Sequence, residues 1–421
     1  MDSLRRAIQA FPATRQNVVA SVAVGTALYL ILVRALRFRR RDQIVRDYGY
    51  PKRTLASMTV DEACNIRKEL ANLEFPETMK TSLFFALFKT YAIPSISKLL
   101  LATGQLSSDA TASKRAADTS VLVTEMTQAG RSSDRIFDAI ARMNFLHNRY
   151  RRAGKISDDD LLYTLSLFAL EPSRWVTRLD WREFSPVELC AEGVLWRDIG
   201  EMMEIPYTAL EPYLEGGGGD DGLTWLRALE QWSLKYEAEK AVPEEVNRKV
   251  AMGTLDILLF NAPVVSRRFF TGVVSAVLDS RTRTAMKFPE PNRLHRALAA
   301  TIFAARRLFV GWLSLPRPSW LAVKRLDEEK DPITGKYWTY VSFSHPWYIK
   351  PTFANRWGPE AMMLRLLGGV IPSKDAEYCP DGYDITEIGP EKMKGKGHDE
   401  MDEIRSQMKQ RRGLVGCPMG L

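Results

Sequence analysis

The sequence predicts an all-α protein: a helical globular domain with one small β-hairpin, standing behind a single N-terminal transmembrane helix. Three observations carry this. Between Arg15 and Arg34 no residue is charged, and from Val18 on the stretch is mostly apolar. From Thr59 to Leu313 apolar residues recur at helical spacing, punctuated by Ser, Thr or Asp caps and by Pro or Gly stops. Strand-like alternation is confined to Trp320–Leu326 and Tyr337–Phe343, which flank a DPITG turn.

The apolar stretch QNVVASVAVGTALYLILV fits a bilayer. Its eighteen residues, at about 1.5 Å of rise each, reach about 27 Å, the hydrocarbon thickness of an endoplasmic reticulum membrane. Arg34 can snorkel, so the anchor is assigned to residues 17–36. A cleaved signal peptide has a shorter apolar region, and here the basic cluster follows the span. Arg5, Arg6 and Arg15 precede it; Arg34, Arg37, Arg39, Arg40 and Arg41 follow. The positive-inside rule therefore assigns residues 1–16 to the lumen and the body to the cytosol. The first sixteen residues also suit a mitochondrial presequence, but a long apolar stretch with a basic stop favours anchoring.

Behind the anchor, residues 59–75 form a helix started by Thr59 or Asp61 and closed before Pro76. Residues 78–92 are apolar nearly all round and so buried, with Pro94 ending or kinking the helix. Helices follow over 113–129 and 133–152, the latter stopped by Gly154. Ser157 caps a helix whose first turn carries three aspartates, and Ser185, Pro186 and Glu188 open one over 185–203. The glycines of EGGGGDDG (215–222) precede no Lys-Ser/Thr and follow no strand, so they read as a surface connection rather than a phosphate loop. Helical patterns resume over 222–240, 243–262, 264–286 and 291–313, with one more near 358–368. The body is thus assigned to residues 42–390, and residues 391–421 to a charged, loose tail.

Composition narrows the function. The net charge of +8 comes without aromatic and basic residues interleaved as in an RNA reader, so the expected partner is a membrane and not nucleic acid. Cys64, Cys190, Cys379 and Cys417 form no CxxC pair, which argues against a zinc ribbon and fits reduced thiols. Cys417 lies one position off a prenylation box. No HExxH, GxSxG, EF-hand loop or P-loop occurs. With four histidines and no dense Cys/His cluster, a protein-only metal site is poorly supported. A haem needs only one axial imidazole, an apolar pocket and cations for its propionates.

The helix ARMNFLHNRYRRAG places Ile136, Ile140, His147 and Tyr150 on one face. On that basis His147 is either a hydrogen-bonded core residue or a ligand. In KRAADTSVLVTEM, Arg115, Thr119, Leu122 and Met126 share a stripe. A cation and a hydroxyl among apolar residues suit either a locally bonded pair or a pocket wall. His345 is read as structural or as a second pocket residue, and His295 and His398 as surface residues.

Residues 69–100, 114–126, 142–200, 345–359 and 382–390, in that order and spacing, resemble the fungal mpaB family of endoplasmic-reticulum-bound oxygenases. That family is distantly similar to the bacterial rubber-cleaving latex clearing proteins, all-α b-type haem dioxygenases with an Arg-x-x-Lys-Thr motif upstream of the axial histidine. Here the motif reads Arg115-Ala-Ala-Asp118-Thr119. The resemblance implies a haem b with His147 as iron ligand, and Arg115 and Thr119 lining its pocket. Asp118 replaces the lysine, so the lysine's role does not transfer. Asp118 is then a candidate base if it faces the pocket, and an ordinary salt-bridged aspartate otherwise. No counterpart of the upstream acidic base is found. The implied activity is oxidative cleavage of a C=C bond in a lipophilic prenylated natural product, with dioxygen, at the endoplasmic reticulum membrane. The alternatives are a non-enzymatic tethered binding protein of the same fold, or a haem monooxygenase or peroxidase.

Overall fold

The structure is a computed structural model, and it describes residues 15–49, 51–104, 109–130, 133–214, 221–260, 263–341, 345–366, 368–373 and 376–412. Most of residues 1–16, glycines 216–219, Phe343 and Cys417 lie outside the described residues.

The anchor is helix α1 (Arg15–Arg37), directly followed by α2 (Arg39–Tyr48). Side chains along α1 from Gln16 to Leu28 face solvent, as a lipid-facing helix requires. The body contains α3 (Val60–Glu69), α4 (Pro76–Thr90), α5 (Pro94–Ala102), α6 (Asp109–Gln128), α7 (Asp134–Arg152), α8 (Asp158–Leu179), α9 (Pro186–Met202), α10 (Gly222–Lys240), α11 (Glu245–Leu258), α12 (Val264–Val277), α13 (Ser280–Ala285) and α14 (Arg293–Leu308). Two short helices, α15 (Phe353–Trp357) and α16 (Pro359–Leu366), precede α17 (His398–Arg411).

The caps are those the sequence predicts. Thr59 and Glu62 close a reciprocal capping box on α3, and Ser185 and Glu188 do the same on α9. Ser157 accepts from the Asp160 N–H at 3.0 Å. Gly154 has φ +65°, and the Lys155 and Gly154 N–H groups bond back to Tyr150 and Arg151 carbonyls at 2.9 Å, which closes α7 as a Schellman motif.

The apolar α4 packs along α8 in the centre of the body, and α9 packs on α3 and α10. Trp196, Trp225 and Tyr163 are fully buried in the main core. A second cluster, built on Phe84, Phe88 and Phe288, joins α4 to α11 and α13. The α9–α10 crossing depends on two glycines in contact. A Cβ added to Gly193 would stand 1.9 Å from the Gly222 carbonyl oxygen. Gly193→Ala therefore forces the helices apart, and we expect about 3 kcal/mol of destabilisation, read from urea unfolding.

Two expectations are corrected. Among the described residues the β-hairpin does not form as strands. Tyr340 N–H bonds to the Arg325 carbonyl at 2.9 Å, but the segments meet only at the isolated bridge Leu326↔Thr339, and Tyr337 pairs instead with Tyr383. Tyr337 and Tyr383 exchange backbone hydrogen bonds of 3.0 and 2.8 Å, and Arg135 stacks on the Tyr337 ring. Residues 391–412 of the charged tail are not loose either; the rest of it lies outside the described residues. Within residues 391–412, α17 packs on α7, burying Met401 and Met408, which lie seven residues apart on one face, while Arg405 pairs with Asp138 at 2.9 Å.

Candidate functional site

Helices α6 and α7 pack against each other beside a cavity of about 270 Å³. The stripe read from the sequence, Arg115, Thr119, Leu122 and Met126, forms the α6 wall, because positions four, seven and eleven apart return to one face. His147 lies on the α7 wall of the same cavity, and Asp118 also borders it. All four predicted site residues are thus brought together. Leu87 of α4 and Leu165 and Phe168 of α8 supply apolar lining, and the segment Gly389–Met393 closes one side.

His147 is not a hydrogen-bonded core residue. Its Nδ1 is buried with no hydrogen-bond partner among the described residues. Leaving such a nitrogen unpaired costs about 1–3 kcal/mol. Desolvation, followed by the positive charges of Arg115 and Arg151, pushes its pKa down to about 4. The imidazole is therefore neutral at physiological pH, with a lone pair available. The ring keeps some accessible surface because it borders the cavity. The Arg115 guanidinium has no ion pair or hydrogen bond among the described residues. The Thr119 hydroxyl donates locally to the Arg115 carbonyl at 3.0 Å, so it is already bonded within α6. Arg149 borders the cavity, whereas Arg151 and Arg152 pair with Asp158 and Glu400.

Asp118 is engaged elsewhere. Lys114 Nζ lies 3.0 Å from its Oδ2, and the Tyr348 hydroxyl donates to Oδ1 at 2.7 Å. Burial raises its pKa, with Lys114 and the Tyr348 bond opposing. Its geometry is that of a structural ion pair joining α6 to the segment before α15, and Lys114 also reaches the Gly389 carbonyl at 3.0 Å. His345 is buried between the rings of Phe260 and Tyr378, away from the cavity lining. His398 is at the surface, 3.0 Å from Glu387. His295, expected at the surface, is wedged between α12 and α14, its ring where a side chain on Gly272 would otherwise lie. Among the described residues no three His, Cys, Asp or Glu side chains converge as a metal cluster.

Sequence reasoning missed the Gly389–Met393 wall and its support. Arg142, fully buried on α7, donates to the carbonyls of Ile388 at 2.7 Å, Met393 at 3.1 Å and Lys396 at 3.3 Å. The signal was present: an arginine on the apolar face of α7 must find acceptors.

The chain is 39 % identical over 383 residues to the ER-bound oxygenase mpaB' of Penicillium brevicompactum, an alignment covering 90 % of each chain. The chain belongs to the mpaB family of oxygenases. The mpaB of the same species is 38 % identical over 345 residues, 82 % of this chain and 81 % of that relative. The mpaB of Penicillium roqueforti is 40 % identical over 272 residues, 64 % of this chain and 91 % of that relative. No family model matches the chain. Membership in the mpaB family makes the protein an oxidoreductase that takes dioxygen and a small-molecule substrate, and sets aside the non-catalytic tether.

The state of His147 gives this mpaB-family protein a pH signature in its ligand-free form. Its folded pKa, about 4, lies below its ordinary 6.5, so between those values the unfolded chain binds the extra proton. The stability is fully present above pH 6.5 and is lost as the pH falls towards 4, by about 2–3 kcal/mol after allowance for the cavity. The difference between wild type and His147→Leu in urea unfolding across this range isolates the effect.

Proposed function

We propose that the cavity holds haem b through His147, and that the enzyme cleaves a C=C bond in a lipophilic, prenylated substrate. The observation that supports this most is a neutral imidazole on the cavity wall that keeps accessible surface there while its buried Nδ1 has no hydrogen-bond partner among the described residues. That is the state an iron ligand must have before it binds. Arg115 is close enough to depress the His147 pKa and has a guanidinium available for a propionate. When bound, haem iron supplies the centre at which dioxygen is activated. The protein's own part is to orient and to exclude. Leu87, Leu122, Leu165 and Phe168 hold an alkene away from water, and the cation of Arg115 fixes the carboxylate side of the cofactor. Asp118, held by Lys114 and Tyr348, steadies α6 and is assigned no proton transfer. Cleavage by dioxygen is balanced without a reductant: the double bond is broken and each carbon takes one oxygen atom as a carbonyl.

The test is the absorption spectrum and iron content of the full chain, purified in detergent after expression with haem supplied. A Soret band with stoichiometric iron is expected; a folded, colourless, iron-free protein would overturn the assignment. Incorporation of both atoms of labelled dioxygen into two carbonyl products is expected, and incorporation of one would favour a monooxygenase. The relatives' names place them at the endoplasmic reticulum, and we infer the same membrane here, with the body cytosolic. Protease added to sealed microsomes is then expected to digest the body.

A further inference from the structure

We propose that the body has a second membrane contact, a monotopic surface made by α12, α14 and the segment Phe309–Leu321, which dips into the same leaflet that α1 leaves. The inference rests on reading α1 as a bilayer span, and on no property of the cavity.

Depth along α1 carries the argument. The Tyr29 hydroxyl donates to the Leu313 carbonyl at 2.7 Å. Arg34 stacks over the Trp312 ring at 4.5 Å, Arg37 donates to the Ser314 carbonyl, and Arg40 donates to the Arg317 carbonyl at 3.0 Å. The segment therefore descends beside α1 as α1 enters the bilayer. Tyr29 lies five residues inside Arg34, about 7.5 Å at helical rise. This is within the 5–10 Å to which interfacial elements insert. If α1 spans, Leu313 cannot be in bulk water.

The surface at that level is apolar where it faces out. Leu294, Ile302, Leu308, Phe309, Trp312 and Trp320 are 61 %, 50 %, 60 %, 58 %, 47 % and 81 % exposed. The opposite side of α14 is committed to the body: Ala299 is buried and Arg306 pairs with Asp180 at 2.9 Å. A helix that buries one face in protein and presents a second apolar face outward needs a second apolar medium. Charge points to the same partner. Between residues 264 and 321 the sequence has ten Lys and Arg against two Asp and Glu, an excess equal to the +8 of the whole chain. The stretch that carries the apolar surface thus also carries the basic excess, as attraction to an anionic leaflet requires. The membrane-facing unit also backs onto the cavity: Val274 of α12 packs on the cluster that contains the cavity-lining Phe84.

Site-directed spin labelling of the full chain, reconstituted in phosphatidylcholine–phosphatidylserine vesicles, tests this. Single cysteines replace Ile31, Ile302, Leu308 or Ile333 in a Cys379→Ser, Cys417→Ser background, and collision with dissolved oxygen is compared with collision with a water-soluble nickel chelate. Labels at 302 and 308 are expected to resemble the one at 31, with an oxygen-to-nickel ratio at least about tenfold above that at 333. Labels at 302 and 308 that match 333 would overturn the proposal. So would labels shielded from both reagents, which would mean that a second copy of the chain covers this face. A water-accessible label at 31 would overturn the span and this inference with it, while lipid at 31 and water at 302 and 308 would overturn this inference alone.

Discussion

Replacing His147 with alanine is expected to give a folded protein that binds no haem and has lost oxygenase activity. Removing the outer partners of a metal-bound imidazole already costs about 10–100-fold, so removing the ligand sets a floor of about a hundredfold. The fold is expected to survive because of how the residue sits. Nδ1 makes no hydrogen bond, so its loss leaves no other polar group stranded, and it removes an unpaired nitrogen worth about 1–3 kcal/mol. Lost ring contacts at the cavity wall offset that gain, and the net change should stay within about 1 kcal/mol. A core histidine would behave in the opposite way, with a lower urea midpoint and an unchanged spectrum. Reading the Soret band, the iron content and the urea midpoint on one preparation separates the two.

Arg182→Met is expected to be the most damaging single substitution away from the cavity, costing about 3–5 kcal/mol. Arg182 grips Glu188 with two bonds of 2.7 Å and reaches Glu74 at 3.4 Å. Both carboxylates are almost wholly buried, with side chains 0 % and 1 % exposed. Methionine fills the space but leaves Glu188 with only the Ser185 N–H, at 2.7 Å. Glu74 keeps Arg40 at 2.6 Å, so the stranded charge is mainly that of Glu188. Arg182→Met with Glu188→Gln should then be more stable than Arg182→Met alone, since glutamine keeps the cap and sheds the charge. Urea unfolding of the three proteins in one detergent decides it. If the single variant loses less than about 1 kcal/mol, the network behaves as a surface pair would.

Helix starts and the cavity stripe were legible because they depend on residues within one or two turns. Thr59, Ser157 and Ser185 cap where their spacing to Glu62, Asp160 and Glu188 says they should. Arg115 and Thr119 share a wall with Leu122 for the same local reason. What was not legible needed a distant partner. Asp118 is bonded to Tyr348, 230 residues on, and nothing near Asp118 announces that partner. The alternation over Tyr337–Phe343 marked an extended segment, and Thr339 does bridge Leu326, but Tyr337 pairs with Tyr383, which no local pattern could indicate. In α17 the two buried methionines are outnumbered by charges, and the helix reads as solvated until the face of α7 is known.

The wall formed by Gly389–Met393, pinned by Arg142, sets an order of events during synthesis. Helix α1, the candidate membrane helix, emerges from the ribosome long before that wall. The residues that form this wall emerge hundreds of positions later and are fixed when the α7 arginine bonds their carbonyls. The cavity wall is therefore completed late, on a chain whose first helix has long since left the ribosome.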